Sequence, residues 1–255
     1  MAIVGSRRPT PYGEAVAERL AADLAAAGAV VVSGLARGID AAAHRGALDG
    51  GGATLAVLGT GVDIVYPAEN AALAAEILER GGALVSEFAD GTPPRRGHFP
   101  RRNWTMAALS DAVVVVEAAE GSGALITAEA ALALNKEVMA VPGSIFSPLS
   151  VGSHQLLRDG AGLVQNARDV LGALGRIQEV LDDPLRPPAR LGLDGKGGRD
   201  GLLAHLSDTL PTTAAGLSRK LGLGFAEALA RLTSLELDGS VERRGDGYIR
   251  RMGRE

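Results

Sequence analysis

Ala29-Val30-Val31-Val32-Ser33-Gly34-Leu35-Ala36-Arg37-Gly38-Ile39-Asp40-Ala41-Ala42-Ala43-His44 passes from an apolar run, through a loop broken by two glycines, into an alanine-rich helical pattern. The apolar run shows no alternation with polar residues, which is the pattern of a strand covered on both faces. The same unit recurs along the first 175 residues. Ala2–Gly5, Ala53–Leu58, Ala83–Ser86, Ala112–Glu117 and Glu137–Val141 read as further strands. Helical patterns fill the intervals: Pro11–Ala27 with Val16, Leu20 and Leu24 on one face, then stretches near 40–48, 68–80, 100–110 and 123–135. Strands alternating with helices predict an α/β fold, a doubly wound parallel sheet of Rossmann-like type.

Composition bounds the function. The chain has 255 residues, 46% apolar and 22% charged, which is enough to build one large domain or two smaller ones. Uninterrupted apolar runs stay below the roughly 18 residues a membrane span needs, so no membrane partner is expected. The start, Met1-Ala2-Ile3-Val4-Gly5-Ser6-Arg7-Arg8, has its arginines after the apolar residues, the reverse of signal-peptide order. With no cysteine, disulfides, thiolate zinc and cysteine nucleophiles are excluded, and a cytoplasmic location fits. The formal net charge of −4 argues against a uniformly basic nucleic-acid binder.

Composition shifts after Leu174. Residues 176–200 contain a proline-, glycine- and charge-rich stretch that reads as a linker between domain 1–175 and domain 201–255. The second domain reads as three short helices followed by a ribbon over Ser240–Arg250, the order of a winged helix. Its expected recognition helix, Phe225–Asp238, sets Glu227, Glu236 and Asp238 against Arg231 alone. That balance is poor for reading a DNA groove and favours a protein-contact or auxiliary role.

In an open parallel sheet, ligands bind outside the carboxyl ends of the strands. Four loops there are rich in glycine, hydroxyl and arginine: Gly5-Ser6-Arg7-Arg8, Ser33-Gly34-Leu35-Ala36-Arg37-Gly38, Gly59-Thr60-Gly61 and Glu120-Gly121-Ser122-Gly123. Glycine lets backbone N–H groups approach phosphate oxygens, and arginine adds charge-assisted bonds. The P-loop, the dinucleotide Gly-x-Gly-x-x-Gly after the first strand and the Gly-x-Ser-x-Gly elbow are all missing. The densest cationic stretch, Arg95-Arg96-Gly97-His98-Phe99-Pro100-Arg101-Arg102-Asn103-Trp104, carries four arginines and no acid, with two aromatics interleaved. Arginine neutralises phosphate while aromatic faces stack on unpaired bases. Asp40 and His44 are spaced to share a helix face and pair. His98, His154 and His205 lack ligand spacing, so no metal is expected.

These loops together resemble the bacterial DNA-processing protein A (DprA, also called Smf) family. The likeness rests on Ile3-Val4-Gly5-Ser6-Arg7, on Val32 through His44, on Phe99-Pro100-Arg101-Arg102-Asn103 and on Ser122 through Ala128, with Tyr66-Pro67-Ala68-Glu69-Asn70 and Ala140-Val141-Pro142-Gly143-Ser144 in support. It implies an extended Rossmann-like domain with a winged-helix appendage that binds and protects single-stranded DNA during natural transformation, helps load the RecA recombinase and forms homodimers. It also implies no catalytic residue and no cofactor. Ser6, Arg7, Ser33, Gly34, Arg37, Gly38, Phe99, Arg101, Arg102, Asn103, Ser122, Gly123 and Thr127 fall in the DNA-facing motifs. Trp104 replaces the family's usual arginine, and Gly152-Ser153-His154 stands where Gly-Thr-Asn is common. Many members carry an N-terminal helical extension; this sequence begins inside the first strand, which reads as a trimmed or naturally short form. The rival expectation is a LOG-type phosphoribohydrolase acting on nucleoside monophosphates, with Gly121-Ser122-Gly123, Thr127 and a catalytic Glu129.

Overall fold

A computed structural model of the chain describes residues 1–175, 203, 206, 212–221, 225–237, 239–244 and 247–250. The chain divides into two compact units, Met1–Ala189 and Arg190–Glu255. The expected linker at 176–200, most of 201–210 with His205, Asp238, the ribbon turn at Gly245 and Asp246, and Arg251 and Arg254 of the tail lie outside the described residues.

Seven parallel strands build the first unit: β1 (Ala2–Val4), β2 (Val31–Ser33), β3 (Thr54–Leu58), β4 (Ala83–Ser86), β5 (Ala112–Val115), β6 (Glu137–Ala140) and β7 (Gly162–Leu163), in the order β4-β3-β2-β1-β5-β6-β7. The chain adds strands outward from β1 to one edge, then crosses back and adds the rest beyond it, so the switch point lies between β1 and β5. The connecting helices are α1 (Pro11–Ala26), α2 (Ile39–Asp49), α3 (Ala71–Glu79), α4 (His98–Ala108), α5 (Gly123–Ala133), α6 (Val151–Arg158) and α7 (Ala167–Ala173). The Rossmann-like sheet expected from the sequence is therefore present. The two-residue β7 was missed because a strand that short carries no periodicity.

Strand side chains alternate between two cores. Ile3, Val31, Val114 and Met139 pack under α1, α2 and α7, while Val4, Val32, Val113, Val115 and Val138 pack under α4 and α5. Gly46 and Gly50, one turn apart on α2, lie against the backbone of α1 at Glu18 and Ala22, closer than any Cβ would permit. The two helices consequently cross in near backbone contact.

His44 is fully buried, and it pairs with Thr54 rather than with Asp40: its Nδ1 lies 2.7 Å from Thr54 Oγ1, which donates to Val31 O at 2.8 Å. Thr54 has already given its hydroxyl proton, so Nδ1–H is the donor to Thr54. Burial, and then the charge of Arg102, lower the His44 pKa from 6.5 to about 3.

In the second unit, α8 (Ala214–Leu221) and α9 (Phe225–Leu237) precede an antiparallel ribbon of β8 (Val241–Arg244) and β9 (Gly247–Arg250). Leu206, Leu217, Leu232, Leu235, Val241 and Tyr248 form its core. The helix-then-ribbon order of a winged helix is borne out.

Between pH 6.5 and about 3 the unfolded chain protonates His44 while the folded chain does not, so stability falls as pH falls through that window. Buried Asp40 acts in the opposite sense, because its raised pKa makes the folded chain the better proton acceptor. His44→Asn keeps a donor for Thr54, retains Asp40 and removes the titration. Urea unfolding at several pH values is expected to show the variant's stability falling less steeply, by up to about 1.4 kcal/mol per pH unit. Equal slopes would refute the assignment.

Candidate functional site

The switch point sets the loop after β1 beside the loop after β5. Between them opens a cleft of about 390 Å³, walled by Val4 to Arg7, Ala36 and Asp40 on one side and by Ala119, Ser122 to Ala124 and Thr127 on the other, with Arg102, Asn103 and Met106 of α4 contributing. That volume suits a nucleotide-sized group.

Arg102 organises the cleft although it is only 5% exposed. Its Nη1 donates to Gly34 O just beyond β2 and to Val57 O of β3 at 2.9 Å. Its Nε donates to Asn103 Oδ1 at 3.1 Å, and Asn103 Nδ2 donates to Gly123 O at 2.9 Å, in the first turn of α5. The guanidinium passes so close over Gly34 that a Cβ there would collide with it. Asp40 is also buried, its Oδ2 accepting from Ala36 N at 3.4 Å. Burial raises the Asp40 pKa and Arg102 pulls it back down; burial lowers that of Arg102 and Asp40 raises it again. An acid and a guanidinium that perturb one another are thus held at the cleft wall.

Two further groups, outside the expected site residues, fix the loops. Glu117, buried at the end of β5, accepts from Thr10 N at 2.8 Å and from Thr10 Oγ1 at 2.5 Å, while Thr10 Oγ1 accepts from Gly13 N at 3.1 Å as the N-cap of α1. A carboxylate at a helix N-terminus is favourably placed. Asn70 Nδ2 donates to Leu35 O at 2.8 Å and Ala36 O at 3.3 Å, holding the loop in which Leu35 takes φ +54°. A lone acid after a run of valines, and an asparagine on a distant loop, give no signal of period or spacing.

The expected site residues divide by position. Ser6, Arg7, Arg102, Asn103, Ser122, Gly123 and Thr127 line the cleft. Ser33 is buried with its Oγ donating to Ile3 O at 2.7 Å, and Gly34 lies beneath Arg102. Gly38, at φ +72°, packs against the backbone of Ser6 and Arg7. Arg37 and Arg101 are exposed outside the lining and already paired, with Glu69 at 2.5 and 2.7 Å and with Glu87 at 2.7 Å. Phe99 packs beside Tyr66, with Arg7 5.5 Å from its ring centre. Trp104 is half exposed on α4 and is not core.

Arg7, Arg8, Arg95 and Arg96 are exposed and form no ion pair among the described residues. Thr127 is fully buried in the cleft wall, and its Oγ1 has no hydrogen-bond partner among the described residues. Ser122 caps α5, its Oγ accepting from Ala124 N at 3.3 Å. Glu129 is exposed on α5 and absent from the cleft lining. Among the described residues no group of three His, Asp or Glu is arranged to hold a metal ion.

Residues 1–175 match the family described as DNA recombination-mediator protein A, and residues 186–247 match the DprA winged helix domain. Protein Smf of Escherichia coli strain K12 is 39% identical over 254 residues, covering 98% of this chain and 67% of its own length. A putative DNA processing protein DprA of Mycobacterium tuberculosis is 44% identical over 253 residues, covering 98% of this chain and 63% of its own length. This chain thus spans about two thirds of the length of either relative. A solved structure of DNA processing protein A from Helicobacter pylori, described as showing a unique single-stranded DNA binding mode, superimposes with a TM-score of 0.62. That pair shares 34% identity over 69% of this chain and 79% of the other.

The two cleft arginines are expected to separate in a stability assay. Arg102→Met strands Gly34 O, Val57 O and Asp40, and should lower the unfolding free energy by about 3 kcal/mol. Arg7→Ala, at an exposed side chain, should change it by less than about 0.5 kcal/mol. Urea denaturation of both variants gives the comparison, and similar losses for the two would contradict the roles assigned here.

Proposed function

Because this chain belongs to the DNA recombination-mediator protein A (DprA/Smf) family, we propose that it binds single-stranded DNA in the switch-point cleft, shelters it and passes it to a RecA-type recombinase. The observation that carries this reading is the convergence on one cleft of groups left over from folding. Arg7 forms no direct ion pair among the described residues, although it faces Asp40 across the wall, Thr127 has an unused buried hydroxyl, and the amino end of α5 is open beside them. Backbone N–H groups at a helix start and an exposed guanidinium suit phosphate oxygens.

In this reading Ser6, Arg7, Ser122, Gly123 and Thr127 touch the strand. Ser33, Gly34, Gly38, Arg102 and Asn103 shape the cleft wall. Arg37 and Arg101 form its rim, exchanging a carboxylate for a phosphate as the strand arrives, and Phe99 offers a base-stacking face. The exposed position of Glu129 supports strand binding over nucleotide hydrolysis. No described helix is long and apolar enough to cross a membrane, and DNA and recombinase as partners fit a cytoplasmic site of action. A second copy of the chain is a further proposed partner, and the winged helix serves it or another protein rather than reading a groove.

Fluorescence anisotropy with labelled oligo(dT) and duplex across a salt series tests the proposal. Single strands should bind more tightly than duplex. The log–log slope should be near −3, for about four phosphates at about −0.7 each. Arg7→Ala should reduce that slope by about 0.7. Thr127→Val should weaken binding while leaving the melting temperature unchanged or higher, since it deletes an unpaired buried hydroxyl. Salt-independent binding, or no preference for single strands, would sink the reading.

A further inference from the structure

The turn after β6 shows large apolar side chains to water, with Ile145 82% and Phe146 91% exposed. It is a built turn. Ser144 Oγ accepts from Phe146 N at 3.2 Å, Ser147 N donates to Ser144 O at 3.0 Å, and Ser147 Oγ accepts from Leu149 N at 3.3 Å. One limb is tied to α1 and the other beside the cleft wall. On one side Tyr12 Oη, in the first turn of α1, donates to Pro142 O at 3.0 Å. On the other, Ala118 N donates to Leu149 O at 2.7 Å and Gly152 N donates to Ala118 O at 2.8 Å, next to the cleft-lining Ala119. The fold therefore holds an aromatic ring out into solvent at the same sheet edge as the cleft.

The surroundings narrow what meets it. From Val138 to Arg158 the chain contains no Asp or Glu, so this segment presents no carboxylate to an approaching polyanion. β6 is the second strand from β1, which sets the turn about 10 Å along the edge from the loop that carries Arg7. A strand gripped by its phosphates in the cleft has unpaired bases free to project, and a ring fixed one step further along meets them face on.

We propose that the Ile145–Phe146 turn is a second contact for the same DNA strand, with Phe146 stacking on an unpaired base that has left the cleft. This rests on the cleft being the single-strand site. It adds a sequence-tolerant contact to the electrostatic one and lengthens the footprint, so that strands long enough to reach the turn bind more tightly than those that only fill the cleft.

The test compares wild type with Phe146→Ala on oligo(dT) of about 4 and about 16 nucleotides. Phe146→Ala should weaken the longer strand about 5- to 100-fold, leave the shorter one unchanged, and keep the same salt slope. In a Trp104→Phe background, which removes the chain's single tryptophan, a Phe146→Trp reporter should be quenched by the longer strand only. If wild type binds the 16-mer and Phe146→Ala binds it equally well, this proposal falls while the cleft reading stands. If wild type binds neither oligonucleotide, both fall. If the variant keeps its DNA affinity but loses a dimer seen for wild type by sedimentation, the turn belongs to a second copy of the chain and the proposal is overturned.

Discussion

The bonds from the Arg102 guanidinium to the carbonyls of Gly34 and Val57 hold the carboxyl edge of the sheet together. Both carbonyls lie just past Ser33–Ala56, the last pair of the β2–β3 ladder, and burial without a donor would be costly. Arg102 supplies the donor and, through Asn103, also anchors the amino end of α5 at Gly123. One side chain thereby sets the spacing of β2, β3, α4 and α5. A cation is required here because Asp40 is buried beside it; an apolar residue of the same shape would leave that carboxyl alone in a dry site. Lysine has the charge but not the planar fork that reaches both carbonyls and Asn103.

A chain with net charge −4 thus keeps a cationic edge by dividing its arginines into three classes. Arg102 is buried and used by the fold. Arg37 and Arg101 are exposed but paired with Glu69 and Glu87. Arg7, Arg8, Arg95 and Arg96 form no ion pair among the described residues. Surface ion pairs are worth little in water, so these two pairings can be given up at small cost. The same pairing limits self-repulsion along a stretch that holds +4 over residues 91–104.

Much of this was legible in the sequence, for identifiable reasons. The valine runs at 31–32 and 113–116 and the glycine loops after them locate the strands and the edge where the loops converge, since buried strands and tight turns each leave a compositional mark. The division of labour among the arginines left none. Arg101 and Arg102 are adjacent in sequence, yet a helix turns them about 100° apart, one toward Glu87 and solvent, the other inward against Gly34. Spacing likewise suggested an Asp40–His44 pair, but the rigid approach of α2 to β2 and β3 turns His44 onto Thr54 and leaves Asp40 facing Arg102. Glu117 and Asn70 bind loops more than 30 residues away in sequence, and no local pattern encodes such contacts.

What remains unpaired along this edge is informative because the rest is so fully paired. Ser33, Asn103, Glu117 and Asn70 each find partners within the fold, and backbone carbonyls at the loop bases are capped. Thr127, one turn into α5, is fully buried and has none among the described residues, although the neighbouring Ser122 is used as a cap. A valine would fill the same volume without the cost of a desolvated hydroxyl. His44 Nε2 and Ser110 Oγ are likewise buried without a partner among the described residues, but of these three only Thr127 lines the cleft, where its hydroxyl is within reach of a group that enters.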